Sequence, residues 1–219
     1  MIKKKLQIGV IGLGKFGLRF AEQLMVFGHE VLGLDSNPLH IKHAQTKLTQ
    51  VFLADAREKE VLEQTGMGEL EYVMVSVGNS ISASAMISMF LKELNVPKVW
   101  VKARDSDHRK LLEKVGADRV VIPEYLAAKQ LADGLTNPGF VEYLPFDNDM
   151  IIQELTINRS AGQTLRQLDL TNRKKIQVIA VQPTGGGKPT YIPNPDKKLE
   201  AGDILVVIGH RNQFESFQL

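Results

Sequence analysis

Read from its hydrophobic pattern, the first part of the chain alternates short apolar runs rich in β-branched residues with amphipathic stretches of helical period. That alternation specifies strands of a parallel sheet joined by crossover helices. Six strands are predicted, at Gln7–Ile11, Glu30–Leu34, Gln50–Leu53, Tyr72–Val75, Lys98–Val101 and Arg119–Ile122. Helices are expected to begin near Lys15, Pro38, Glu58, Ser80, Ser106 and Glu124, and Asn137, Pro138 and Gly139 to break the last of them. Phe140–Pro145 then reads as a strand leading into a different pattern, with strands at Met150–Ile157, Gln177–Val181, Thr190–Ile192 and Ile204–Ile208 and one helix at Gly162–Leu168. The fold class expected is α/β, a Rossmann-type doubly wound sheet followed by a small α+β domain. The boundaries are 1–122 for the sheet domain, 123–146 for a connecting helix and linker, and 147–219 for the small domain. So small a unit is expected to gain stability by association.

Composition narrows the classes of function. Of 219 residues, 43% are hydrophobic and 24% charged, the balance of a globular protein. Net charge is +2, with 27 basic and 25 acidic residues spread along the chain, so no electrostatic stripe suits a nucleic-acid backbone. The absence of cysteine excludes disulfides, thiolate catalysis and Cys-ligated zinc. No apolar run approaches the roughly 18 residues of a membrane span, and MIKKKLQ leads straight into a strand, so neither membrane insertion nor a signal peptide is expected.

The most informative segment follows the first strand: Gly12-Leu13-Gly14-Lys15-Phe16-Gly17 opens the helix LRFAEQLMVFGH. GxGxxG alone is a weak signal, but between strand and helix it has a mechanism. Gly12 permits the tight turn, Gly14 lets backbone N–H groups approach a phosphate, and Gly17 lets helix and strand pack closely. The second strand, HEVLGLD, ends at Asp35, where a carboxylate can accept bonds from both ribose hydroxyls. An acid there fits NAD(H), ATP, ADP or AMP and disfavours a 2′-phosphate. The alternative is a bare structural turn, with Asp35 capping the helix that begins at Pro38. Asn37, between them, is counted with the cofactor-facing candidates.

Asp55, in FLADAR, follows the third strand where an adenine-facing polar group would sit, and suits equally the cap of the next helix. Ser76-Val77-Gly78-Asn79 closes over the same crevice, with Gly78 allowing close backbone approach, or forms an ordinary turn. Lys102 and Arg104 follow the fifth strand in WVKARD, and Glu124 the sixth in VIPEYL. With Lys15 they supply cations for terminal phosphates and one carboxylate for a bridging Mg²⁺ or Ca²⁺. Read blandly, they are solvated loop charges and an acid in a first helical turn.

VIGLGKFG, HEVLGLD, FLADA, VMVSVGNSISAS, LKELNVPKVWVKA, HRKLLEKVGADRVVIPE and LEAGDILVVIGH together resemble the regulatory proteins of Ktr and Trk potassium uptake systems. These are RCK proteins, a TrkA-N domain followed by TrkA-C, and the likeness is greatest to the single-repeat Ktr regulator. The resemblance implies a cytosolic octameric ring built from dimers through the crossover helix, which binds ATP or ADP and controls a membrane-embedded potassium transporter subunit. It places Gly12, Gly14, Lys15 and Gly17 against phosphates, Asp35 at the ribose, Asp55 and Ala56 at the adenine, Lys102 and Arg104 at the polyphosphate, and Glu124 at a divalent cation. Two departures stand out: the family often has arginine at the position of Lys15, and Arg104 takes the place of a neutral side chain. In related regulators the small domain is a dimerising module that in some members binds cyclic di-AMP; Asn158, Arg159, Arg173 and His210 are the polar candidates here.

Two lookalikes are set aside. Thr184-Gly185-Gly186-Gly187-Lys188-Pro189 lacks the spacing and the hydroxyl of a phosphate-binding P-loop and reads as a hairpin loop. The five histidines, at 29, 40, 43, 108 and 210, show no metal-ligand spacing beyond the loose pair His40 and His43. The rival function is a small NAD-dependent oxidoreductase, for which His108 is the one histidine near the crevice. A DNA-binding redox sensor has no helix-turn-helix to offer.

Overall fold

The computed structural model describes residues 5–77, 80–136, 139–144 and 147–214. It divides into two compact units, one to Glu124 and one from Tyr125.

In the first unit, strands β1 (Gln7–Ile11), β2 (Glu30–Asp35), β3 (Gln50–Leu53), β4 (Tyr72–Val75), β5 (Lys98–Lys102) and β6 (Arg119–Val121) form one sheet in the order β3-β2-β1-β4-β5-β6. Every pairing is parallel. Alternation along the strands explains why both faces are apolar. Val10 and Met74 point to one face, with Ala21 of α1 (Lys15–Val26) and Ala44 of α2 (Pro38–Ala44). Ile11, Val73 and Val75 point to the other, with Leu62 of α3 (Lys59–Gln64), Leu91 of α4 (Ile81–Glu93) and Leu112 of α5 (Ser106–Lys114). Two-sided burial is what near-continuous Val, Ile and Leu in the strands requires. The order reverses at β1, which has β2 on one side and β4 on the other. A crevice therefore opens above the carboxyl ends of β1 and β4, the usual ligand position in such sheets.

The helix α6 spans Pro123–Thr136, one residue earlier than the sequence suggests. Pro at the first position lacks only an N–H that would have no intrahelical partner. Its Tyr125, Leu126, Leu131 and Leu135 are exposed, whereas Asp133 is buried against Arg211. Of the predicted break, Asn137 and Pro138 lie outside the described residues, as does Pro145 at the end of the next predicted strand.

The second unit is an antiparallel sheet in the order β10-β9-β11-β8-β7, from β7 (Phe140–Leu144), β8 (Asp147–Thr156), β9 (Gln177–Gln182), β10 (Thr190–Tyr191) and β11 (Ile204–His210). Leu205 and Val207 of β11 pack with Leu155, Ile157 and Val181 against Leu168 and Leu170. Their neighbours Ile204, Val206 and Ile208 are only half-buried. The sequence places one helix at 162–168. Two short ones form instead, α7 (Leu165–Leu168) and α8 (Leu170–Lys174), separated by Asp169 at φ +47. Thr164 starts α7 through a capping box with Gln167, so the segment before it stays outside the helix. The 184–189 segment connects the antiparallel strands β9 and β10, as a hairpin loop does. LEAGDILVVIGH is a structural motif: buried Asp203 accepts N–H bonds from Thr184 and Glu200, both at 3.0 Å, and fixes the turn that starts β11.

Candidate functional site

Three glycines do different work. Gly12 sits at φ +90°, and a Cβ there would stand 2.9 Å from the Ser76 carbonyl group. A Cβ on Gly17 would fall 1.9 Å from the Gly12 oxygen, so helix α1 reaches the strand only because that atom is missing. Gly14 differs: its Cβ would meet nothing nearer than His40 Cε1 at 4.0 Å. Packing does not demand glycine at 14, and a ligand approaching the main chain would. The start of α1 carries no side-chain cap and no acidic residue in its first turn. Its first N–H groups and the positive end of the helix dipole thus face the crevice, the arrangement that holds a phosphate. Lys15 is exposed beside it. Phe16 stacks on Phe20 and lies 5.8 Å from the Lys102 ammonium, within cation–π range.

Asp35 is 9% exposed at the end of β2. One carboxylate oxygen accepts the Leu13 N–H at 2.6 Å and lies 2.9 Å from His40 Nδ1; the other accepts the Asn37 N–H at 2.8 Å. These bonds tie the acid to the glycine loop and set its orientation. Asp35 does not cap α2. Asn37 does, its side chain accepting the Leu39 N–H at 2.9 Å ahead of Pro38. Asn37 is thereby committed to the helix start, and only its remaining groups are available to a ligand.

Asp55 does not cap α3 either, because that helix begins at Lys59 behind Glu58. Its carboxylate accepts the Arg57 N–H at 3.0 Å and Arg57 Nε at 3.0 and 2.9 Å. The Arg57 guanidinium holds it below the usual carboxylate range. Arg57 is not among the candidates that the sequence pattern offers; the signal for it is the D-x-R spacing, which lets a guanidinium fold back on the acid. Ala56 is buried in the core and reaches the crevice only by its edge. Gly12, Asp35, Asp55, Ala56, Val77 and Ser80 are among the residues lining a cleft of about 230 Å³. That is below the roughly 300–1,000 Å³ of a pocket for a whole ligand. A cleft of that volume has room for a flat ring and part of a sugar but not for a whole nucleotide. Gly78 lies outside the described residues.

The far side of the crevice is made of side-chain charges already paired. Lys102 Nζ is 2.6 Å from Glu124 Oε1, the lysine largely covered and Glu124 67% exposed. The pairing with Lys102 lowers the Glu124 carboxyl below its ordinary value. Arg104 Nε bonds Asp105 Oδ2 at 3.0 Å, with the arginine exposed. No cluster of three metal-ligating side chains occurs among the described residues. Glu124 therefore fits a hard cation such as Mg²⁺ only as one ligand, the others being phosphate oxygens and water.

His108 departs from its polar context. It is buried, its Nε2 2.7 Å from Ser84 Oγ, and its Nδ1 accepts the Arg104 N–H at 3.2 Å. Burial pushes its imidazole below the ordinary range. Between α1 and α2 lies a second, open groove of about 540 Å³, lined by Lys15, Arg19, His40, His43 and Lys47 with Gly14 at its rim. In the second unit Asn158, Arg159, Arg173 and His210 are all exposed, with His210 capping the turn that follows β11.

No helix among the described residues is long and apolar enough to cross a membrane. The TrkA-N domain family matches residues 8–123 and the TrkA-C domain family residues 149–218. The chain is 34% identical to the Ktr system potassium uptake protein A of Bacillus subtilis (strain 168), over 99% of this chain and 97% of that protein. With the Ktr system potassium uptake protein C of the same organism it shares 31% identity, over 98% and 96%. Among solved structures, the GsuK channel bound to NAD aligns with a TM-score of 0.56 at 21% identity, over 98% of this chain. The chain spans 38% of that channel chain's length, and the likeness shows a shared fold.

Proposed function

We propose, from the premise that this chain belongs to the family built of a TrkA-N domain followed by a TrkA-C domain, that it is the nucleotide-binding regulatory subunit of a potassium transporter. The observation that carries the reading is the uncapped start of α1 above a glycine loop tied to Asp35. Full-length similarity to Ktr potassium uptake proteins supplies the context.

In this reading the main chain at Gly12–Gly17 and Lys15 hold the diphosphate, and Asp35 the ribose. The base lies beside Asp55 and Ala56, in the cleft that Val77 and Ser80 also line. ATP and ADP are the ligands; NAD or NADH is the alternative occupant, supported by the NAD held in the GsuK channel. Lys102 reaches the terminal phosphate once it leaves Glu124, and Arg104 reaches it with its terminal nitrogens while Nε stays on Asp105. Glu124 would be this chain's own ligand to a Mg²⁺ or Ca²⁺ ion bound there. The cation adds charge compensation there.

The partners are a membrane-embedded potassium transporter subunit and further copies of this chain. The exposed Tyr125, Leu126, Leu131 and Leu135 of α6 and the half-buried Ile204, Val206 and Ile208 support self-association into a dimer and an octameric ring. The location is cytoplasmic, at the inner membrane face. Gating is a population shift: moving a two-state ring from mostly closed to mostly open takes about 5.5 kcal/mol of differential affinity. Shared by eight sites, that is about 0.7 kcal/mol each, less than one charge-assisted hydrogen bond contributes. The chain is not an enzyme in this reading. The histidine that a dehydrogenase would need is committed to Ser84 and to the main chain.

Calorimetric titration with ATP, ADP, NAD and NADH, with and without Mg²⁺, tests the reading. Saturable adenine-nucleotide binding supports it. NADH binding coupled to hydride transfer would overturn it.

A further inference from the structure

We propose that His108 is a positioning residue for the nucleotide's terminal phosphate, fixing the main chain between β5 and α5 so that Arg104 faces the crevice in one orientation. The inference rests on the crevice being a nucleotide site.

The segment SDHRKLLEK is a charged helix start. Within it His108 is 2% exposed. Its Nδ1 accepts the Arg104 N–H at 3.2 Å, which assigns the proton to Nε2. Nε2 then donates to Ser84 Oγ at 2.7 Å. The Ser84 hydroxyl donates onward to the carbonyls of Ser80 and Ile81, both at 3.0 Å. Asp105 closes the circle: Oδ1 accepts the His108 N–H at 2.9 Å and Oδ2 accepts Arg104 Nε at 3.0 Å.

Both the backbone and the guanidinium of Arg104 are thus held by the first turn of α5. That turn is bolted to α4, whose cap Ser80 lines the adenosine cleft. An arginine ordered before the ligand arrives loses less freedom on gripping phosphate, so its contribution to binding is larger. A histidine that merely filled the core would have no effect specific to the terminal phosphates.

Two partial mimics separate these roles. Asparagine places an amide oxygen where Nδ1 stands, keeping the acceptor for Arg104 N–H and losing Ser84. Glutamine places its amide where Nε2 stands, keeping Ser84 and leaving the Arg104 N–H without its acceptor. The experiment titrates the full chain with ATP and with AMP for wild type, His108→Asn and His108→Gln, with urea midpoints for each. His108→Asn is expected to keep the ATP-over-AMP preference within about threefold, and His108→Gln to lower it about tenfold with AMP affinity unchanged. The exposed variant Asp105→Asn, which leaves the core intact, is expected to lower the preference by about threefold or more. Equal preference in wild type, His108→Gln and Asp105→Asn overturns the inference, as does an equal loss for both nucleotides. Should His108→Gln not fold, the Asp105→Asn result decides alone. Wild type that binds neither nucleotide overturns the reading of the crevice itself, and this inference with it.

Discussion

The two sides of the crevice above the parallel sheet are built by opposite means. On the β1–β2 side the groups are main-chain amides and one carboxylate, locked by Leu13, Asn37 and His40 around Asp35. On the β5–β6 side they are long charged side chains, each engaged with a neighbour: Lys102 with Glu124, Arg104 with Asp105. The first side is preformed and changes little on binding. On the second side Lys102 must leave Glu124, in the first turn of α6, before it can hold a phosphate, whereas Arg104 stays oriented by Asp105. A molecule that recognises a nucleotide and responds to its terminal phosphates needs both.

The largest expected effect tests the rigid side. Gly17→Ala sets a methyl 1.9 Å from the Gly12 oxygen and is expected to cost about 3 kcal/mol or more in urea unfolding. Gly14→Ala, with open space around its Cβ, is expected to stay within about 0.5 kcal/mol of wild type and to lose nucleotide affinity. Equal stability of the two variants would break the assignment of packing to one glycine and ligand approach to the other.

Asp35→Asn comes next. Removing a buried acceptor of charge-assisted bonds is expected to weaken every adenosine nucleotide by about 10- to 100-fold in calorimetry, whatever its phosphate number. On the exchangeable side, Glu124→Gln and Lys102→Gln are expected to change the ATP-to-ADP affinity ratio by about fivefold, both lowering it if Glu124 acts through a cation and in opposite directions if Glu124 only holds Lys102 back. Their urea midpoints should barely move, because Glu124 is two-thirds exposed and such ion pairs contribute little to stability.

The smallest effect is one of pH. Buried His108 has its imidazole depressed, so the unfolded chain takes up a proton that the native chain refuses. Stability is therefore complete above the ordinary imidazole range and falls as pH drops through the depressed native value. The urea midpoint is expected to be lower at pH 5.5 than at pH 7.5, and part of that difference should vanish in His108→Asn.

How much of this could be read from residues alone follows from the range of the forces involved. The strands of the sheet are local patterns of apolar residues, and burial on both faces leaves their ends little latitude: only Glu30–Asp35, Lys98–Lys102 and Arg119–Val121 differ from the pattern, each by one residue at one end. The glycine loop is likewise local. What escaped were contacts across loops and competition among neighbours. Asn37 takes the cap that Asp35 could have filled, since a cap must sit one residue before Pro38. Lys102 meets Glu124 because the parallel register pairs Lys102 with Val121, bringing the next helix start alongside. His108 meets Ser84 across 24 residues, and nothing in SDHRKLLEK marks its imidazole as buried. The division of α7 from α8 turns on one left-handed residue, Asp169, of a type that tolerates that conformation without requiring it.

The most direct test of the central claim is amide hydrogen exchange of the full chain with and without saturating ADP. The account predicts slowed exchange at residues 12–18 and 35–37, where amides meet phosphate and the ribose anchor is tied down. Unchanged exchange there, under conditions where ADP is bound, would contradict it.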